Sequence, residues 1–204
     1  MIQSSAAVVA MGSLISSAMA ASADIIPSSL ALSHFAECVV KNAPDKVDRA
    51  MQSEVGGREE RQILASLASS KGGCVTETNS LQFRFYQLRG ALAERLILDD
   101  PSKSKALDSR ISHPAVKAQA TSTSPNWSGF FHCVVEAEPQ KSLALFKSEN
   151  ASDDEWNIVL SMQPTLAACM PSNMTYRGNG DFLRRGMAVA AYALIKPPSE
   201  KATG

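Results

Sequence analysis

The chain has 204 residues, of which 45% are hydrophobic, and its 20 basic residues balance its 20 acidic residues. This length suits one large domain or two small ones, and this composition excludes a chain that is disordered throughout. A formal net charge of zero gives no general electrostatic reason to expect nucleic acid or an anionic membrane surface as a partner.

The first 23 residues carry no charged side chain, and they end in a segment with small residues at Ala18, Ala20, Ala21 and Ala23. A short apolar stretch followed by small-x-small sites is typical of a secretory signal peptide. The stretch lacks a basic residue at its start, so an Ala-rich tail or a misassigned start is the alternative. We expect residues 1–23 to be cleaved and the protein to be exported, periplasmic or secreted. We expect no membrane span, because no apolar window is long enough.

One hexamer pattern occurs twice, as FAECVV at residues 35–40 and as FFHCVV at residues 130–135. With a shift of 95 positions, 12 of the 41 residues from 35 to 75 match their counterparts without a gap. After one inserted residue the shift is 96, and Arg89-Gly90 falls on Arg185-Gly186. The alternative is chance similarity between two Ala- and Ser-rich stretches. Chance does not easily place Cys, Pro and Arg-Gly in the same order in both stretches. We therefore predict an internal duplication.

Apolar residues recur at spacings of three and four in both copies, and sustained alternation is missing. The predicted fold is all-α: a tandem duplication of a roughly four-helix unit, with repeats at residues 24–99 and 129–196. Residues 100–128 form the predicted linker, with a short helix near residues 104–110. Residues 197–204 form a predicted disordered tail.

Proline and capping residues indicate where individual helices begin and end. Pro44 ends the first helix and can start the second at its first position. The fourth helix is expected over about residues 80–98. In the second copy, Ser152 opens a capping box, Pro164 shortens or kinks the third helix, and Asp181 is a plausible N-cap of the last.

The four cysteines form two pairs, Cys38 with Cys74 and Cys133 with Cys169, each 36 positions apart. A structural zinc site favours close C-x-x-C pairs, which are missing, and duplicated pairs argue against a single catalytic thiol. In an exported chain they predict one disulfide in each repeat. Four buried free cysteines are the alternative. We expect no metal site.

Arg89-Gly90 and Arg185-Gly186 are the second shared feature. Glycine inside a helix costs on the order of 1 kcal/mol relative to alanine, so we expect a close helix crossing or a bulky neighbour there. We predict structural ion pairs for the two arginines; binding of a ligand carboxylate or phosphate, or plain exposure, are the alternatives. The preferred partners are glutamates that both copies share: Glu54 or Glu60 for Arg89, and Glu149 or Glu155 for Arg185.

The shared residues are apolar, Cys, Pro, Gly and ion-pair types, all of which packing explains. We therefore expect a non-catalytic binding or structural module of the cell envelope or extracellular space. No motif implies a cofactor or a catalytic residue. The partner is expected to be an unidentified protein or small-molecule ligand, without nucleic acid.

The alternative is a small hydrolase whose site lies in a groove between the copies. There, the unrepeated residues His132, Trp127 and Glu37 could meet. Trp127 also begins an aromatic cluster with Phe130 and Phe131, which we expect to be core or a wedge between the copies.

Overall fold

The computed structural model describes residues 28–69, 73–74, 83–114, 127–172 and 180–196, and within these ranges every regular element is a helix. The all-α prediction is therefore confirmed for the described part of the chain. The predicted signal peptide and the predicted tail lie outside it. The helices are α1 (Ser28–Asn42), α2 (Pro44–Gln52), α3 (Arg58–Ser69), α4 (Phe85–Leu98), α5 (Pro101–Asp108), α6 (Trp127–Ala137), α7 (Pro139–Lys147), α8 (Asp153–Ser161), α9 (Gln163–Cys169) and α10 (Gly180–Ile195).

Prolines set the junction between the first two helices of each half. Pro44 is the first residue of α2, directly after the junction with α1, and Pro139 is the first residue of α7, directly after the junction with α6. Proline fits this position because its fixed φ is helical and its missing N–H would have no partner there. The start of α2 therefore lies where the sequence predicts it.

Pro164 divides the third helix of the second half. α8 ends before Met162, and α9 begins directly after it with Pro164 in its first turn. The Ser152 hydroxyl caps α8 by accepting the amide of Glu155 at 3.1 Å. In a complete capping box the Glu155 carboxylate would accept the amide of Ser152. Here it accepts the amide of Ala151 instead.

Asp181 is the second residue of α10 and not its N-cap, since α10 begins at Gly180. Its carboxylate accepts a hydrogen bond from Arg185 Nε at 3.1 Å and another from the Gln87 side chain at 3.2 Å. The expected cap is therefore corrected: these two donors hold the carboxylate along the flank of the helix.

Part of the predicted linker is folded. α5 begins earlier than the short helix expected near residues 104–110, because Asp100 caps it by accepting an amide two residues on at 2.9 Å. Leu107 of α5 is buried, and the Gln140 side chain of α7 donates to the Asp108 carbonyl at 2.8 Å. These contacts fasten the start of the linker to the second half of the chain.

Both predicted disulfides are present, Cys38–Cys74 and Cys133–Cys169, with Cα–Cα distances of 5.5 and 5.8 Å. All four cysteines are used. Each disulfide closes a loop with a sequence separation of 36. One joins α1 to Cys74 after α3, and the other joins α6 to the last residue of α9.

The hydrophobic core is centred on α4 and α10, which pack against each other. α1 packs against α4, and α6 packs against α10, so the buried side chains form one continuous cluster. The helix-spaced stripes of the sequence meet in this cluster, and its burial is the main force that holds the helices together. No helix in the described ranges is long and apolar enough to span a membrane.

The two shared glycines lie at close contacts within this core. A Cβ atom on Gly90 would be 2.7 Å from both Cα and the carbonyl oxygen of Arg185, so α4 and α10 cross there with backbones in contact. A Cβ atom on Gly186 would overlap the ring of Phe131. The expected close crossing and the expected bulky neighbour are both found, one at each glycine.

Candidate binding cleft

Arg89 and Glu60 form a buried ion pair. Arg89 is 5% exposed, and its guanidinium also donates to two carbonyl oxygens of α2 at 2.8 and 3.3 Å. The Glu60 carboxylate accepts the amide of Gly56 in the turn before α3. Of the two partners expected for Arg89, the structure therefore places Glu60 against it and leaves Glu54 exposed.

Arg185 has different partners from those expected. It donates to Glu94 at 2.8 Å and to Asp181 at 3.1 Å, and no ion pair within the described residues joins it to Glu149 or Glu155. Glu155 lies 3.4 Å from Arg184, and Glu149 is exposed. The reason is the rotation of α10, which lets the Arg184 guanidinium reach Glu155, whereas Arg185 reaches Asn150 in the turn before α8.

Glu94 is the central acid of this network. Arg184 binds both of its carboxylate oxygens, through Nε at 3.0 Å and Nη2 at 2.9 Å, and Arg185 binds one of them. Comparison of the two halves of the sequence at the shift of 96 misses Glu94 because Ala190 occupies the aligned position. The available signal is a lone acidic residue among the apolar residues of α4.

A cleft with a volume of about 410 Å³ lies between the α3–α4 side of the first half and helices α6 and α10 of the second. Most of the side chains around it are apolar or aromatic, and residues from both halves contribute. The lining residues are Met51, Val55, Gly56, Glu60, Arg61, Phe85, Tyr86, Arg89, Trp127, Ser128, Phe131, His132, Phe182, Arg185, Gly186, Val189, Ala190, Tyr192 and Ala193.

Aromatic rings form one wall of this cleft. The Trp127 ring lies 5.1 Å from that of Phe182 and 6.1 Å from that of Phe131, and Phe182 contacts Tyr86 at 5.7 Å in an edge-to-face arrangement. Phe130 continues the cluster into the core. Since Tyr86 belongs to α4 and Trp127 to α6, the cluster joins the two halves.

The hydrolase constellation is not assembled in the described residues. His132 and Trp127 both line the cleft, but Glu37 lies outside it and pairs with Lys41 on the exposed side of α1. His132 and Ser128 share the cleft without a hydrogen bond between them. Burial lowers the pKa of the His132 imidazole below its ordinary value of 6.5, and the Glu136 carboxylate opposes this shift. His132 is therefore a neutral, half-buried wall residue at pH 7.

Two arginines that line the cleft lack a partner, Arg89 for one donor atom and Arg61 for its charge. The Arg89 Nε atom is buried and has no hydrogen-bond partner in the described part of the chain. Arg61 is exposed at the edge, donates to the Gly56 carbonyl, and has no carboxylate partner among the described residues. The cleft can therefore bind an apolar body and has one exposed basic side chain, Arg61, at its edge.

No protein-family model, no curated protein and no solved structure matches this chain.

Proposed function

We propose that this protein is an exported, non-catalytic binding module whose cleft takes up an apolar group. The observation that carries the proposal is the cleft itself. It has the volume of a small-molecule site, and its wall is built from aromatic and aliphatic side chains with few polar groups. Glu60 and Arg89 are engaged with each other and Arg185 is engaged with Glu94, so the described lining residues hold no free acid and base together for chemistry.

Export is supported by the cysteines. Disulfides persist in oxidising compartments and are rare in the cytosol, and all four cysteines of this chain are paired. Residues 1–23 supply the expected signal peptide. We place the protein in the periplasm or the extracellular space on these grounds.

We further propose that the binding module arose by duplication, with repeats at residues 24–99 and 129–196. The support is a turn with the same backbone conformation and hydrogen bond, which occurs twice at the shift of 95. Gly56 and Ala151 both have positive φ, at 74° and 61°, and each donates its amide to a glutamate four residues on. Ala151 is the more informative case, because a residue with a Cβ seldom adopts this conformation. Each glutamate, Glu60 or Glu155, is then paired with an arginine of the last helix of its half.

Binding of a neutral apolar probe tests the proposal. Trp127 lines the cleft and Trp156 is 58% exposed on α8, so Trp156→Phe leaves one tryptophan as a reporter of the cleft. Phenylbutanol should change the Trp127 fluorescence saturably. Ala193→Phe, which fills the cleft, should abolish the change, whereas Ala167→Phe on the exposed side of α9 should leave it intact. Saturable binding that survives Ala193→Phe would reject the cleft as the site.

A further inference from the structure

We propose that the Cys38–Cys74 disulfide exchanges with a low-molecular-weight thiol, whose thiolate attacks Cys74 and releases Cys38 as a thiolate. The Cys133–Cys169 disulfide remains intact under the same conditions. The proposal is independent of the ligand of the cleft, because the cavity beside Cys74 and the cleft share no lining residue in the described chain. It rests on the different surroundings of two disulfides that close loops of equal separation.

The two disulfides differ in how far solvent reaches their sulfur atoms. Cys38 and Cys74 are both partly exposed, whereas Cys169 is completely buried and only Cys133 of that pair is partly exposed. In exchange, one sulfur must be reached by a thiolate and the other must leave as an anion, which burial in an apolar core disfavours. Cys169 is therefore hard to attack and a poor leaving group, while both sulfurs of the first disulfide lie at the surface.

The Asn42 side chain donates to both sulfur atoms of the first disulfide. Its Nδ2 atom lies 3.4 Å from Cys38 Sγ and 3.5 Å from Cys74 Sγ. A hydrogen-bond donor stabilises the thiolate that departs, and exchange is faster when the leaving thiolate is more stable. At the shift of 95, the residue in the second half is Ala137, whose side chain has no donor. The donor is thus a property of the first disulfide.

A cavity of about 380 Å³ lies beside Cys74, and this volume is in the range of small-ligand sites. Cys74 and Asn42 line it, whereas Cys38 does not, so we infer that Cys74 is the sulfur that is attacked. Asp45 and Lys46 also line it with opposite charges. Because these charges offset each other, size rather than charge sets the class of the thiol.

The junctions beside the two disulfides differ in the same sense. Ala43 lies in the first junction where the second has Glu138, and the Glu138 carboxylate accepts hydrogen bonds from Lys141 at 3.1 Å and from a hydroxyl of α9 at 2.9 Å. Pro44 is exposed, whereas its counterpart Pro139 is buried. The second junction is therefore held by a bonded side chain where the first has only a methyl group beside an open surface.

The exchange conserves atoms and electrons. The attacking thiolate forms a sulfur–sulfur bond with Cys74 Sγ as the bond between Cys74 and Cys38 breaks. The electron pair of that bond leaves on Cys38 Sγ, which the Asn42 amide stabilises and which water can then protonate. Attack of the Cys38 thiolate on the mixed disulfide reverses the step. While the mixed disulfide lasts, α1 is released from Cys74, and the disulfide of the second half is unchanged.

Timed incubation of the folded protein with an excess of reduced glutathione tests the assignment. The reaction is run at about pH 8, where part of the glutathione is thiolate, and is then quenched with acid. Alkylation and peptide mass spectrometry should find glutathione on Cys74 and the alkyl group on Cys38. The first disulfide should be cleaved at least about tenfold faster than the second, at a rate that rises with glutathione concentration.

Two variants change the features that carry the proposal. Asn42→Leu removes the donor at similar size and should slow cleavage of the first disulfide by about threefold or more. Asn157→Leu makes the same change at an exposed position of α8 and should leave the rate unaltered. Ala43→Glu places the side chain of the second junction in the first and should also slow the cleavage.

The outcomes that would overturn the proposal are distinct. Equal rates for the two disulfides, or a rate that does not rise with glutathione concentration, would show that cleavage follows unfolding. An unchanged rate in Asn42→Leu would remove the role of the amide, and glutathione on Cys38 would reverse the assigned direction. Cleavage by a dithiol protein of the thioredoxin type, without cleavage by glutathione, would overturn the assignment of a small thiol.

Discussion

Single buried charges in this protein are stable only as members of pairs. Glu94 illustrates this. The residue is 2% exposed, and its carboxylate accepts hydrogen bonds from both Arg184 and Arg185. Burial of an ion requires good geometry and further hydrogen bonds, and the bidentate contact of Arg184 provides both. The sequence reveals the repeated glutamates and arginines but not this acid, because a pairing across the two halves leaves no repeated pattern.

Glu94→Gln should therefore destabilise the protein by about 3–5 kcal/mol, since it leaves a surplus of positive charge buried between α4 and α10. The free energy of unfolding in urea measures the effect. Glu54→Gln changes an exposed glutamate in the same way and should stay within about 0.5 kcal/mol of the wild type. A similar small effect for Glu94→Gln would mean that the network contributes little.

His132 should make stability depend on pH. Its folded-state pKa is lowered from 6.5 by burial, so the unfolded chain binds the proton first as pH falls. The contribution to stability is complete above the unfolded value and is lost as pH falls from there toward the folded value. His132→Gln should therefore reduce the difference in unfolding free energy between about pH 7.5 and about pH 5.5. His34→Gln, at an exposed position of α1, is the control, and equal profiles for all three proteins would contradict the prediction.

At the scale of helices, junctions follow from local rules, whereas crossings depend on contacts between distant segments. Pro44 and Pro164 mark helix boundaries in the sequence because proline acts on its own backbone. Gly90 marks a crossing, but its partner, the backbone of Arg185, is found only in the folded chain. The difference between Arg184 and Arg185 has the same origin, because the rotation of α10 is set by what packs against it.

Gly90→Ala should destabilise the protein by at least about 2 kcal/mol, although alanine favours a helix by about 1 kcal/mol. The added methyl group meets the backbone of Arg185, which cannot move without separating α4 from α10. Gly186→Ala meets the far end of the Phe131 ring and should cost less, because a side chain can adjust. Urea unfolding of both variants measures the order, and a neutral Gly90→Ala would show that the crossing tolerates separation.

For the whole molecule, the sequence predicts the helical class and both disulfides. The helical class follows from the local spacing of apolar residues, and the disulfides follow from the cysteine spacing that occurs twice. The sequence names a groove between the copies only in the hydrolase alternative, with Trp127 and His132 in it, and it does not predict the composition of the wall. The wall of the cleft combines Phe85 and Tyr86 of α4 with Trp127 and Phe182 of the second half, and none of these contacts follows from spacing. The packing of α5 onto α7 was likewise hidden, because its residues resemble a linker in composition.

Each disulfide should contribute roughly 4 kcal/mol to stability, because it restricts the unfolded chain across a loop with a separation of 36. The paired replacement of Cys38 and Cys74 by Ser should lower the melting temperature substantially and leave Cys133 and Cys169 inert to alkylation. The corresponding replacement of Cys133 and Cys169 is the matched comparison. Unchanged melting in both, or free thiols in the unreduced wild type, would contradict the role assigned to the bonds.

Neither disulfide links one half to the other, so the α4–α10 crossing and the contacts of α5 join them without a covalent cross-link. A chain cut between residues 115 and 126 would therefore separate into two fragments, each retaining its own disulfide. We expect the fragments to reassociate as a heterodimer whose dissociation depends on dilution, because mass action replaces the tether. Since the cleft draws its wall from both fragments, ligand uptake would report reassembly, and the protein could serve as a complementation pair.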